Sequence, residues 1–181
     1  MEFQELIRKR QSVRKYSDRP VETEKLEILS QAVRLAPSAS NSQPWKLIWV
    51  TEPELREKVA RATFSKAVSF NKFALQAPVL AVLCVEKPPL LTQLGAWVQK
   101  REYPLIDIGI AASHLCLQAA ELGLGTCMLG WFDEGKIKSL LKIPEKTRIG
   151  LVVTVGYAPD DYPLRSKKRK AFSEVVSYNQ Y

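Results

Sequence analysis

The sequence predicts a layered α+β fold over residues 1–181 as one domain. Three observations carry that expectation. Segments with helical apolar spacing alternate with short apolar runs. One such run, VLAVLCV from Val79 to Val85, has the length and valine content of a strand buried on both faces. No repeat, low-complexity tract or linker divides the chain, and 46% hydrophobic against 25% charged residues is an ordinary globular balance.

The elements follow in order. Residues 3–10 form a short amphipathic helix with Phe3, Leu6 and Ile7 on one side. Residues 22–35 form a second helix with Leu26, Leu29, Ala32 and Val33 at helical spacing, stopped by Pro37. The stretch from Pro37 to Trp45, PSASNSQPW, carries no charge and little that packs a core. Residues 45–50 make a strand. Thr51 with Glu54 makes a capping box that opens a helix from Glu52 to about Phe70. After the strand at 78–85, residues 86–104 are irregular. Residues 107–122 form the longest helix. At about 100° per residue, Asp107, His114, Gln118 and Glu121 share one narrow stripe on it while nearly everything else is apolar. Such a helix must be enclosed on most sides, which points to a subunit interface. Gly123 caps its C-terminus. A strand at 125–129, a short helix capped by Asp133 and running to about Leu141, and a strand at 148–157 follow. Residues 172–178, FSEVVSY, give a terminal strand.

Composition narrows the function. The longest apolar run is too short to cross a bilayer, and the N-terminus lacks the apolar stretch of a signal peptide, so a cytoplasmic protein with no membrane partner is expected. Cys84, Cys116 and Cys127 sit among apolar neighbours and read as buried free thiols. A single histidine excludes a histidine-rich metal site in one chain, and no metal is expected. The net charge of +8 is localised. Arg8, Lys9, Arg10, Arg14 and Lys15 form one cluster, and Arg165, Lys167, Lys168, Arg169 and Lys170 another. Without those ten cations the chain carries 17 basic and 19 acidic residues, so the whole excess sits in two short segments near opposite ends.

The glycines of GLGTCMLG (123–130) do not make a dinucleotide fingerprint. Met128 stands where the third glycine belongs, and the segment enters a strand rather than a helix. His114 and Asp107 lie roughly 10 Å apart along their helix, too far for a direct pair. No nucleophile elbow or P-loop occurs. The basic clusters allow three readings: solvated surface, nucleic-acid contact without an accompanying motif, or a phosphate site shared by both ends.

Taken together, five segments in order resemble the FMN-dependent nitroreductase family. RKRQSVRKY is similar to its R-x-S-x-R element, at Arg10, Ser12 and Arg14. APSASNSQPW is similar to its P-S-x-x-N-x-Q-P-W loop, at Pro37, Ser38, Asn41, Gln43, Pro44 and Trp45. DIGIAASHLCLQAAELGLGTCMLGWF, LKIPEKTRIGLVVTVGY and KKRKAFSEVV resemble the central helix with its glycine turn, the closing strand and the basic tail. The likeness runs from about Leu6 to Val176.

The resemblance implies a central, mostly antiparallel sheet flanked by helices in an intertwined homodimer, with FMN at the interface. It implies that Arg10, Ser12, Lys167 and Arg169 meet the phosphate and ribityl chain, and that Arg14 reaches the pyrimidine side of the ring. Pro37, Ser38, Ser40 and Asn41 would line the ring, and so would Met128, Leu129 and Gly130. Met128 departs from several relatives, which have Pro or Trp there. The short 86–104 stretch leaves the substrate face open, with Trp97 or Tyr103 as rim candidates or, equally, plain packing aromatics. The implied reaction is ping-pong hydride transfer from NAD(P)H to nitroaromatics, quinones or similar electron-poor acceptors. The flavin performs the chemistry and no side chain is expected to be catalytic. A flavin-dependent dehalogenase, a flavin-cleaving relative and a basic nucleic-acid-binding module are the alternatives, the last disfavoured.

Overall fold

The computed structural model describes residues 1–87 and 102–181. Its centre is a four-stranded antiparallel sheet in the order β1-β2-β4-β3, made of Trp45–Val50 (β1), Val79–Val85 (β2), Gly125–Leu129 (β3) and Arg148–Gly156 (β4). The inner strands are buried on both faces, with Val79–Cys84 and Val152–Gly156 inaccessible to solvent. A continuous apolar run therefore replaces the alternation of a half-exposed strand.

Helices α1 (Phe3–Lys9), α2 (Thr23–Arg34), α3 (Pro53–Arg61), α4 (Tyr103–Glu121), α5 (Glu134–Leu141) and α6 (Phe172–Val175) surround the sheet. On one face, Leu29 and Val33 of α2 and Ala111, Leu115 and Ala119 of α4 pack on Ala81, Leu83, Val153 and Val155. On the other, Val59 of α3, Phe73 and Ile137 of α5 cover Leu80, Val82 and Val152. No helix among the described residues is long and apolar enough to cross a membrane.

Several sequence expectations are corrected. The third helix ends at Arg61 rather than near Phe70, because the Ala62 carbonyl is taken by the Asp133 N–H at 2.8 Å. Its cap is Glu52, whose carboxylate accepts from the N–H groups of Glu54 and Leu55, not Thr51. The longest helix starts at Tyr103, four residues earlier than expected. Residues 172–178 do not form a strand. With no strand among the described residues beside them, Phe172–Val175 coil into one helical turn, closed by Glu174 accepting from the Ala171 N–H. Asp107 is not a surface residue but 3% exposed. The exposed positions of α4 are Ile106, Gly109, Ser113 and, from the expected polar stripe, Glu121. Helix α1 forms as expected, but Phe3 and Ile7 remain exposed.

The segment from Arg10 to Ser17 is laid onto the sheet like an extra strand. Ser12 forms a parallel bridge to Thr126, and the Val13 N–H donates to the Thr126 carbonyl at 2.9 Å. The Val13 side chain fits against Gly125 so closely that a Cβ there would come within 2.6 Å of a Val13 methyl. Tyr16 then enters the core, its hydroxyl 2.6 Å from Thr154 Oγ1 and 3.0 Å from the Val13 carbonyl, and burial pushes that hydroxyl far above its usual range. Beyond it, Tyr157 donates to Glu22 (2.7 Å) and accepts from Lys25 (2.5 Å), with the Arg19 guanidinium 3.9 Å above its ring.

Candidate cofactor site

The two cationic ends of the chain meet. Arg10, Ser12 and Arg14 line one wall of a groove, and Arg165, Lys167 and Arg169 the other, with no carboxylate between them. The walls are fastened by hydrogen bonds rather than by opposite charge. Lys167 Nζ donates to the Arg10 carbonyl at 2.6 Å, and the Arg165 guanidinium donates to the Ser12 carbonyl. Desolvation first, then the neighbouring Arg10, Arg169 and Arg165 charges, lowers the Lys167 pKa. Crowded cations with spare donors are what a dianion would relieve, and guanidinium forks match phosphate oxygens.

The helix-to-strand loop is built differently. Ser40, Asn41 and Gln43 all have left-handed backbone, with φ of 52°, 51° and 44°. Such conformations are costly for residues with a Cβ, and asparagine tolerates them best. The loop is held by the Ala39 N–H donating to Asp107 Oδ1 (3.2 Å) and the Gln43 N–H donating to Ser38 Oγ (2.9 Å). Asp107 Oδ2 and Ser42 Oγ are buried without a partner. Pro37, Ser40 and Asn41 are exposed, and Ser38 is half-buried.

These two groups of expected site residues are not brought together within one chain. Ser12 bridges Thr126 just beyond the C-terminal end of α4, whereas the loop is tied to Asp107 in its first turns. The stretch of α4 from Asp107 to Ala120 separates them by about 20 Å at 1.5 Å per residue.

Met128 and Gly130 face outward at the end of β3, and a Cβ at Gly130 would meet nothing within 4 Å. Leu129 is a core residue at 3% exposure, so only its backbone can contribute to the site. Beside them Phe70 and Trp131 pair edge-to-face with ring centres 6.3 Å apart, and Asn71 Nδ2 donates to the Trp131 carbonyl. Tyr103 is half-buried in the first turn of α4, and Trp97 lies outside the described residues.

Among the described residues no other group is arranged for chemistry. His114 Nδ1 lies 3.3 Å from the Ala32 carbonyl and joins α4 to α2. The three thiols are free and buried; burial pushes Cys84 and Cys116 up to about 11 and raises Cys127. None is an activated nucleophile. Among the described residues no His/Cys/Asp/Glu group could hold a metal ion. The sequence reading missed Gln11 as a groove residue and Arg165 as a wall-fastening one. Nothing in the spacing marks Gln11, because its partners lie at the far end of the chain.

Comparison with known proteins agrees with this architecture. The sequence profile of the nitroreductase family matches residues 7–157. A protein of Archaeoglobus fulgidus, provisionally named an NADH dehydrogenase/NAD(P)H nitroreductase, is 32% identical over 160 residues, covering 86% of this chain and 85% of that one. The crystal structure of a nitroreductase family protein from Clostridium novyi NT is 32% identical with a TM-score of 0.77, covering 88% of this chain and 87% of that one. An FMN-dependent nitroreductase structure from Clostridium difficile R20291 is 28% identical with a TM-score of 0.76, covering 97% and 98%. A matching profile over most of the length and relatives aligned nearly end to end lead to one conclusion: the chain belongs to the nitroreductase family.

Proposed function

We propose that the protein is an FMN-dependent NAD(P)H oxidoreductase that reduces nitroaromatic, quinone or similar electron-poor acceptors by ping-pong hydride transfer, and that it works as a homodimer. NAD(P)H-dependent oxidoreduction accords with its family and with the names of its relatives. The observation that carries the finer reading is the convergence of both cationic ends on one groove free of carboxylates.

The residues present fit the cofactor. Arg10, Ser12, Lys167 and Arg169 supply the donor set for a terminal phosphate; desolvation first and then the crowding of Arg10, Arg169 and Arg165 lowers Lys167, and bound negative charge would offset both. Gly130 leaves backbone open to a planar group, beside the outward-facing Met128. When bound, FMN would supply the hydride-transfer chemistry. The chain's own contribution is to bind, orient and enclose. Arg14, which lines the groove, would hold a fixed positive charge toward a bound flavin and so raise its potential; Arg14→Gln leaving the midpoint potential unchanged would refute that role. The small residues Ser38, Ser40 and Asn41 let loop backbone approach a flat ligand and offer hydrogen bonds at its edge.

Separation of the groove from the loop supports a site shared between two copies. The groove and the loop sit near opposite ends of α4, about 20 Å apart along it, and a loop from a second subunit would bring both kinds of contact to one ligand. The exposed Ile106, Gly109 and Ser113 face of α4, with Phe3 and Ile7 of α1, offers apolar and small surface for that contact.

One absorption spectrum tests the proposal. Purified protein should be yellow, bleach when NADH or NADPH is added without oxygen, and regain colour with a quinone or nitroaromatic. A colourless protein with steeply salt-dependent nucleic-acid affinity would favour the binding-module reading instead.

A further inference from the structure

Gln11 lies between two residues of the expected phosphate site, and neither its charge nor its size suggests a part in it. Its side chain nevertheless makes a reciprocal pair with the far end of the chain. Nε2 donates to the Pro163 carbonyl at 3.0 Å, and Oε1 accepts from the Arg165 N–H at 3.1 Å. The partners fix the amide orientation, since one is only an acceptor and the other only a donor. A carbonyl and an N–H two residues apart are the pair that the N–H and C=O of one residue in a neighbouring parallel strand would address. The Gln11 amide therefore stands in for a strand at this point.

The consequence is one of register. Once 163 and 165 are pinned to Gln11, Lys167 reaches the Arg10 carbonyl and the Arg165 guanidinium reaches the Ser12 carbonyl. Like charges on the two walls repel, so without such a neutral fastening the tail would drift from the arm. We propose that Gln11 is a positioning residue of the cofactor site: it clamps the cationic tail onto the N-terminal arm and so assembles the phosphate-binding groove. This rests on the groove being the FMN phosphate site.

The test uses full-length protein stripped of flavin, with FMN and riboflavin as probes that differ only in the phosphate. Gln11→Met keeps the length and removes both hydrogen bonds at a half-buried position. Its affinity for FMN, read by flavin fluorescence, should fall about tenfold, the effect of losing two neutral hydrogen bonds. Its affinity for riboflavin, which keeps the ribityl chain but lacks the phosphate, should fall by a clearly smaller factor. Tryptic cleavage within 165–170 should be faster in the unliganded variant than in unliganded wild type. Equal loss for both flavins would mean general damage and would overturn the role. Unchanged FMN affinity, in a wild-type background that still prefers FMN, would overturn the role of Gln11 alone. Wild-type protein that binds riboflavin as tightly as FMN would remove the phosphate reading of the groove itself.

Discussion

The groove and the loop carry most of the expected cofactor contacts, and they are held by opposite means. The groove is open, strongly charged and fastened across the length of the chain by side chains bonded to backbone carbonyls and one N–H. The loop is uncharged, built on three left-handed residues and tied to one buried carboxylate. In the groove the residues that hold the shape are neighbours of those that would meet a ligand. In the loop the shape is stored in backbone conformation and depends on Asp107, which is distant in sequence. Damage to the groove should therefore appear as lost affinity, and damage to the loop as lost stability.

The largest effect should follow removal of a groove cation. Arg10→Ala should weaken FMN binding by about a hundredfold, the upper range for a charge-assisted hydrogen bond, weaken riboflavin binding much less, and leave the melting temperature nearly unchanged. Calorimetric titration with each flavin checks this. Asp107→Ala should do the reverse. It leaves the half-buried Ala39 N–H without its partner, a cost of about 1 kcal/mol, which corresponds to roughly 2–4 °C in melting temperature for a chain of this size. Asp107→Asn keeps an acceptor and should cost less. If both variants melt with wild type, the loop is held by something other than that carboxylate.

A smaller, opposite change is expected at Ser40. Glycine accepts φ of 52° without the Cβ penalty, so Ser40→Gly should stabilise by up to about 1 kcal/mol, offset in part by a more flexible unfolded chain. A urea titration would resolve it, and a destabilised variant would show that the Ser40 side chain matters more than its backbone.

The smallest effect, a change of slope, concerns the cluster at Tyr157, which belongs to neither region. The Tyr157 hydroxyl first, then a backbone hydrogen bond and the Arg19 guanidinium, holds the Glu22 carboxyl down to about 2 from an ordinary 4.5. A group depressed in the folded state stabilises fully above its unfolded pKa and loses that contribution as pH falls through its folded one. Wild-type stability should therefore decline between about pH 4.5 and 2 more steeply than that of Tyr157→Phe. Superimposable acid-unfolding curves would remove the Tyr157 bond as the cause.

The same contrast explains what could be read from the sequence. Short apolar runs located the four described strands closely, because the sheet is covered on both faces and burial selects those residues. Charge clustering located both walls of the groove, since counts of cations need no structure. Local patterns failed where a distant group took over a backbone atom. Helix α3 stops where the Asp133 N–H captures the Ala62 carbonyl, and nothing near Arg61 announces it. The terminal strand failed for the converse reason, because β-patterned residues with no neighbouring strand settle into a turn of helix. Asp107 was legible as a polar residue on an apolar helix, but not as an inward one. Its partner is the Ala39 amide, and backbone donors leave no trace in a sequence. Gln11 was invisible for the same reason.

The seating of Val13 against Gly125 has one more consequence. A single added carbon at position 125 would lever the N-terminal arm outward, and Arg10, Ser12 and Arg14 would travel with it. No charge would be altered and no ligand contact touched, yet the anion-binding surface would come apart. In a saturation library, position 125 should thus prove as intolerant as the arginines themselves, because a void can be as exacting a requirement as a functional group.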